Sequence, residues 1–413
     1  MRNQFPEVVR RRLSDWFHHR VARPDHMLHD AGSFQSTLMA DHKNTQFETQ
    51  VVHAGTHAAS SAVPIYLGVN SPNSQGTSDY VTSAGGVGGP TVQALETLMC
   101  QLEQAEWCVA VASGQAAIAQ TFFALLRQGD RIVVHNSVFT FATTLLREDL
   151  PNDWGVEVAW VDMRDAQALE QALKKPTRLV YFEAITNPAF HLLNTRRIID
   201  QAHAAGALAV LDNTLLTPHL LRPLELGADL VLHSATKYLG GHGDVLAGVI
   251  SGRSLELADM VRRFRRLSGG FLSPHSAFLA MRGIRTLPLR MRTHQANARG
   301  LAEYLRDLPG VEEVRYVGFD DYADPEGVKP SLGGFGGMLG FRVDASVDCC
   351  RVREQLTLCR AWGSLGDLET LVAAPEADAQ RDVPNRYLRI AAGLEACEDL
   401  CEDLGQAIAK SRG

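Results

Sequence analysis

Val231 to Asp244 read VLHSATKYLGGHGD. A short apolar run ends in small hydroxyl residues, then a single lysine, then glycines. Such a run reads as a strand buried on both faces. Its lysine then stands at a strand end rather than on an exposed helix face. There it is partly desolvated, which lowers its pKa and suits it to act as a base.

Upstream, the chain alternates between short apolar runs and helical periods from about residue 90. TVQALETLMCQLEQ (91–104) is helical, Cys108 to Val111 is a strand, and SGQAAIAQTFFALLRQG turns into a helix. Strands RIVVH (131–135), VEVAWVD (156–162), RLVYFE (178–183), LAVLDN (208–213) and LVLHSA (230–235) follow, with helices near 143–149, 165–174 and 195–205 between them. Alternation of this kind predicts a mostly parallel sheet covered by helices on both faces. Parallel sheets of this type gather ligands at the carboxyl ends of their strands. A long helical region (254–307) breaks near SPHS. The last hundred residues return to α+β alternation: strand 337–344, helix 348–358, strand and turn 361–371, strand 387–393 and helix 397–410. Residues 320–336 are rich in Gly, Pro and Asp and read as a loop.

The residues just after each strand therefore carry the argument. Ser113, Gly114 and Gln115 open a helix where backbone N–H groups and the helix dipole favour an anion. Asn136 to Phe139 offer an aromatic ring. Thr186-Asn187-Pro188, Asp212-Asn213-Thr214 and Ser234, Thr236 and Lys237 complete one crevice. An anion cradle, a flat ring, a carboxylate, hydroxyls and one lysine are the parts that a pyridoxal phosphate site needs. Singly, each part is unremarkable: a strand-end aspartate commonly caps a helix, and SGQA is a common turn. Their order along the chain gives them weight.

Composition narrows the class. The 413 residues are 45% hydrophobic and 21% charged, with a formal net charge of −7, which argues against a nucleic-acid partner. The basic cluster Arg262 to Arg266 reads as an exposed helix face. No apolar run approaches a membrane span, and the N-terminus lacks a signal-peptide core. The seven cysteines form no CxxC pair, so no metal site and no disulfide framework is expected. A cytoplasmic enzyme is the expectation. The first 45 or so residues read as an extension that packs on the body or on a neighbouring subunit; recurring acidic residues argue against a transit peptide. The expected division is an N-terminal extension and arm (1–63), a large α/β domain (64–285) and a smaller α+β domain (286–413).

The stretch SATKYLGGHGDVLAG resembles the cofactor-lysine motif of the Cys/Met-metabolism family of pyridoxal-phosphate enzymes, which includes cystathionine γ-synthase, the cystathionine lyases and methionine γ-lyase. TQVVHAG, PIYLG, EAITNP, VLDNT, MRGIRTLPLRM, SLGDLETL and LRIAAGLE extend the likeness over nearly nine-tenths of the chain. The resemblance implies the aspartate-aminotransferase-like fold (fold type I), pyridoxal 5'-phosphate as cofactor, a small amino-acid substrate, and a homodimer with shared sites paired into a homotetramer. It implies Lys237 as the Schiff-base lysine and Asp212 as partner of the pyridine nitrogen. Asn187 would bond the ring oxygen, and Ser113, Gly114, Gln115, Thr214, Ser234 and Thr236 would line the cofactor. Ser364 and Arg389 would hold the substrate carboxylate.

Three positions depart from that family's pattern. Phe139 stands where the family has a stacking tyrosine, so the ring remains but the phenol is lost. The family's Tyr-x-Arg, which reaches a neighbour's phosphate, reads Tyr80-Val81-Thr82, followed by the glycine-rich segment 83–91. That segment either replaces the arginine with backbone amides or reshapes the substrate entrance. Gly363 precedes Ser364 where cystathionine enzymes carry glutamate, which weakens cystathionine as substrate.

The resulting expectation is γ-elimination or γ-replacement on an L-amino acid with a γ leaving group, with β-elimination as the alternative. A dinucleotide enzyme would need GxGxxG after the first strand, whereas GVGGPT comes before it. A non-catalytic relative would have no need to keep Lys237, Asp212 and Arg389 together.

Overall fold

In a computed structural model, residues 45–55, 61–72, 78–82, 88–324 and 326–412 are described. The expected packing extension over the first 45 residues falls almost wholly outside them, as does most of the glycine-rich segment after Thr82.

Short strands β1 (Asn70–Pro72) and β2 (Ser78–Tyr80) pair antiparallel ahead of the main body. The main sheet holds β3 (Trp107–Val111), β4 (Arg131–His135), β5 (Glu157–Val161), β6 (Leu179–Glu183), β7 (Leu208–Asp212), β8 (Leu230–Ser234) and β9 (Gly248–Gly252), in the order β3-β9-β8-β7-β6-β4-β5. The neighbouring pairs from β5 across to β8 are parallel, and only β9 runs against its neighbours β3 and β8. The expected mostly parallel sheet of an α/β fold is therefore present.

Strand β9 was not read from the sequence. It is five residues that begin and end in glycine, and its partners on both sides lie far away in the chain. The run 361–371, read as strand and turn, is a loop up to Leu371, which opens β12 (Leu371–Ala373). The smaller sheet, ordered β10-β11-β13-β12, also contains β10 (Val311–Arg315), whose charged VEEVR pattern hid it, with β11 (Met338–Val343) and β13 (Tyr387–Ala391).

Alternation of side chains across each strand divides the core. Val133, Phe182, Leu211, Val231 and Val249 pack on one face with helix residues Leu95, Leu98, Ile198 and Ala277. Val134, Tyr181, Val210, Leu232 and Ile250 pack on the other with Ile118, Phe122 and Val261. Burying one such side chain contributes about 1.5–3 kcal/mol, so both helix layers are firmly held.

Helix Leu287–Arg306 joins the two sheets: Leu287 and Met291 belong to the large core, while Ala298, Leu301 and Leu305 belong to the small one. The break expected near SPHS is real, with Ser273 capping helix Pro274–Ile284 through the Ser276 N–H at 3.1 Å. Among the described residues no helix is long and apolar enough to cross a membrane.

Candidate active site

Cross-strand register brings the strand ends to one edge of the sheet. Glu183 pairs with Asp212, Asp212 with Leu232, and Ser234 with Gly248, which itself pairs with Val111. The turn after β3 therefore sits beside the ends of β8 and β7.

At that turn, the Ser113 hydroxyl accepts from the Ala116 N–H at 3.1 Å and caps helix Gly114–Leu125. Ser113, expected as a cofactor contact, thus serves the helix first. The N–H groups of Gly114 and Gln115 lie in the first turn and have no intrahelical partner. A Cβ on Gly114 would come within 2.4 Å of the Ser234 Cβ, so only glycine lets the helix start press against β8. Gln115 Oε1 is buried without a hydrogen-bond partner. The Thr236 hydroxyl exchanges hydrogen bonds with the Ala247 backbone, at 3.2 Å to its carbonyl and 3.1 Å from its N–H.

Asp212 ends β7 with its carboxylate enclosed. Burial pushes its pKa up, and the Thr214 hydroxyl and N–H oppose that. Both of these bonds go to Oδ1, at 2.5 and 3.0 Å. The Thr214 hydroxyl also accepts from the Ser234 N–H at 2.8 Å. Thr214 therefore props the aspartate and links β7 to β8, a task that spacing alone does not reveal.

Lys237 follows β8, half-buried, with Nζ donating to Ser364 Oγ at 2.5 Å. Burial and the nearby Arg389 guanidinium lower its pKa to about 8, against a weaker pull from Asp367. Ser364 arrives on the 361–367 loop at φ +97°, a backbone region that a serine enters only when its surroundings hold it there. Two residues on, Gly366 has φ +76°, and a Cβ there would meet the Tyr238 nitrogen at 2.5 Å. The loop is therefore laid directly on the lysine segment.

Arg389 lies mid-strand in β13. Its Nη2 donates to the Ser364 carbonyl at 2.7 Å and its Nη1 to Asn187 Oδ1 at 3.1 Å. Its Nε is buried without a partner, and burial lowers its pKa to about 10. Lys237, Ser364, Arg389 and Asn187 thus form one connected chain of hydrogen bonds. Phe139 faces Phe141 edge-on at 5.6 Å between ring centres. Tyr80 is half exposed at the end of β2.

Two buried charges were missed from the sequence. Glu183, read only as the last residue of a strand, accepts backbone N–H groups from Phe139 at 2.7 Å and Asn187 at 3.0 Å. Arg381, between β12 and β13, donates to the Val138 carbonyl at 2.8 Å and the Asn187 carbonyl at 3.2 Å. The cue available was a charged residue closing an apolar strand that aligns with Asp212.

This donor set fits pyridoxal phosphate on three counts. Free first-turn N–H groups form an anion cradle, an enclosed carboxylate keeps Oδ2 without a hydrogen-bond partner among the described residues, and a desolvated lysine lies beside them.

A family model described as Cys/Met metabolism PLP-dependent enzyme matches residues 41–409. The chain is 40% identical over 338 residues to an L-methionine gamma-lyase of Pseudomonas putida, covering 79% of this chain and 84% of that protein. It is 35% identical over 387 residues to a cystathionine beta-lyase of Lactococcus lactis subsp. cremoris, covering 89% of this chain and all of that one (100%). The crystal structure of a cystathionine gamma-lyase from Lactobacillus plantarum complexed with L-serine superposes with a TM-score of 0.83 at 33% identity, covering 89% of this chain and 99% of that one.

Proposed function

The chain belongs to the Cys/Met-metabolism family of PLP-dependent enzymes, and from that premise we propose that Lys237 is its cofactor lysine and that it acts on an L-amino acid bearing a leaving group at Cγ. The observation that carries this reading is the connected run from Lys237 through Ser364 to Arg389 and Asn187. It sets a proton-moving amine one residue away from a guanidinium fork suited to a carboxylate.

Pyridoxal phosphate, when bound, supplies an electron sink for negative charge developing at the substrate Cα. The first turn of helix Gly114–Leu125, with Ser113, Gly114, Gln115, Ser234 and Thr236, would hold the phosphate. Asp212, steadied by Thr214, would pair with the pyridine nitrogen, while Phe139 would stack on the ring and Asn187 would bond its oxygen. Arg389 orients the substrate carboxylate with Ser364. Lys237, with a pKa near 8, has enough neutral amine near neutral pH to take the proton from Cα and then move one at Cβ so that the γ group departs.

Phe139 has no hydroxyl to protonate a leaving group. An acylated or phosphorylated hydroxyl leaves without such help, whereas a thiolate departs less readily. The reading therefore favours activated homoserine-type substrates over thioethers. Beside Ser364 lies a cavity of about 390 Å³ lined in part by Thr236, Val245, Leu246, Trp362 and Gly363, with room for a side chain of that length. The β-elimination alternative draws support from the similarity to a cystathionine beta-lyase and would use the same residues without the second proton movement at Cβ.

The boundaries 1–63, 64–285 and 286–413, the cytoplasmic location and a homodimer paired into a homotetramer belong to the same proposal. The exposed apolar residues Ile65, Leu67, Val69 and Tyr80 near the arm support a contact with a second copy.

Proton NMR in heavy water with O-acetylhomoserine, cystathionine and methionine tests the reaction. Deuterium at both Cα and Cβ with 2-oxobutanoate as product is expected. Exchange at Cα alone, with pyruvate from cystathionine, would move the assignment to β-elimination.

A further inference from the structure

The proton chemistry above uses neither Glu183 nor Arg381, yet these two buried charges grip the backbone under two residues assigned to the cofactor. Glu183 is 3% exposed and Arg381 7%. Glu183 Oε1 accepts the Phe139 N–H at 2.7 Å, while Arg381 Nη2 donates to the Val138 carbonyl at 2.8 Å. That carbonyl and that N–H belong to one peptide unit, so opposite charges hold the unit at both ends. Asn187 is held in the same manner: its N–H goes to Glu183 Oε2 at 3.0 Å and its carbonyl accepts from Arg381 at 3.2 Å.

Each of these contacts pairs an ionisable group with a backbone dipole, the stronger kind of hydrogen bond. Both Glu183 oxygens face N–H donors, an arrangement that only the ionised carboxyl fully satisfies. Burial and the neighbouring Asp212 carboxylate push the Glu183 pKa up, while the two N–H donors and the Arg381 guanidinium favour its ionised form. Phe139 has no polar atom on its ring, so hydrogen bonds can fix the position of this residue only through its backbone. Glu183 comes from the end of β6 in the large sheet, whereas Arg381 comes from the segment joining two strands of the small one.

We propose that Glu183 and Arg381 act together as positioning residues that set the Phe139 ring and the Asn187 carboxamide against the cofactor and tie that setting to the small sheet. This rests on the cofactor reading above and adds to it the means by which the two contact groups are held. Neither residue touches the reacting atoms.

The test compares wild-type holoenzyme with Glu183→Gln and Arg381→Met. A glutamine can accept one N–H through its oxygen but turns an NH2 toward the other. Two quantities are read: the pyridoxal phosphate dissociation constant, and the circular dichroism of the cofactor's visible band at saturation. The dichroism reports the ring's setting and is not moved by loss of overall stability alone. Each variant should weaken cofactor binding on the order of tenfold, the size of one lost charge-assisted hydrogen bond. Each should also change the dichroism per bound cofactor in the same direction, and the double variant should fall short of the summed effects because both residues grip the same peptide unit. Folded variants with wild-type affinity and wild-type dichroism would overturn the proposal. If Glu183→Gln fails to fold, Arg381→Met decides on the same two readouts. A wild-type protein that gains no visible band with pyridoxal phosphate would instead overturn the cofactor reading, and the positioning role with it.

Discussion

Replacing Lys237 with methionine should stabilise the cofactor-free protein near neutral pH and lose that advantage at high pH. The Nζ is half-buried beside the Arg389 guanidinium, and burial is the larger of the two causes that lower its pKa from 10.5 to about 8. Above 10.5 the amine is neutral in both folded and unfolded chains and carries no penalty. Between the two values the unfolded chain binds a proton that the folded chain refuses, so folding stability falls as pH drops through this window and then levels off. The gap of about 2.5 pH units would correspond to about 3 kcal/mol for a fully enclosed amine, at about 1.36 kcal/mol per unit. Solvent access and the Ser364 hydrogen bond, which methionine cannot make, reduce the net gain to about 1–2 kcal/mol. Urea unfolding of the cofactor-stripped wild type and Lys237→Met, from about pH 7 to about pH 11, measures it. The advantage of the variant should grow as pH falls from 10.5 toward 8 and stay level below. Stability curves that run parallel over the whole range would refute the view that the fold holds this lysine against its charge.

Three further substitutions test neighbouring parts of the site. Gly366→Ala places a Cβ 2.5 Å from the Tyr238 nitrogen at φ +76°, and should cost about 1–3 kcal/mol in urea unfolding while lowering turnover through the displaced lysine segment. Arg389→Lys replaces a planar fork with a point charge and should raise KM for every substrate by about tenfold or more, read from initial rates. Phe139→Tyr restores a phenol; turnover of methionine relative to O-acetylhomoserine should rise by about tenfold or more, toward the range that a positioned general acid supplies. Unchanged relative rates would remove the leaving-group argument.

The strand-end residues were legible because a parallel sheet brings the carboxyl ends of its strands to one edge whatever the strand order. Asp212, Lys237 and the turn at Gly114 could therefore be grouped from alternation alone. What decided the rest was register and distant packing. Thr214 reads as one more hydroxyl near the cofactor until the structure shows it bonded to Asp212 and to the Ser234 N–H. Glu183 looks like the polar end of an apolar strand, and its meaning emerges only when β6 is aligned with β7 and when Phe139 and Asn187 converge on it. Arg381 lies nearly two hundred positions further on, in a loop with no periodicity to mark it. Strand β9 was hidden for a related reason: a five-residue run that begins and ends in glycine acquires strand identity only from β3 and β8 on either side.

Borohydride reduction of the pyridoxal-phosphate-loaded protein, followed by proteolysis and peptide mass spectrometry, tests the central claim most directly. The account predicts the pyridoxyl phosphate group on the peptide containing Lys237, and its loss in Lys237→Ala although that protein stays folded. Attachment to a different lysine, or no attachment in a protein that turns over its substrate, would contradict the site described here.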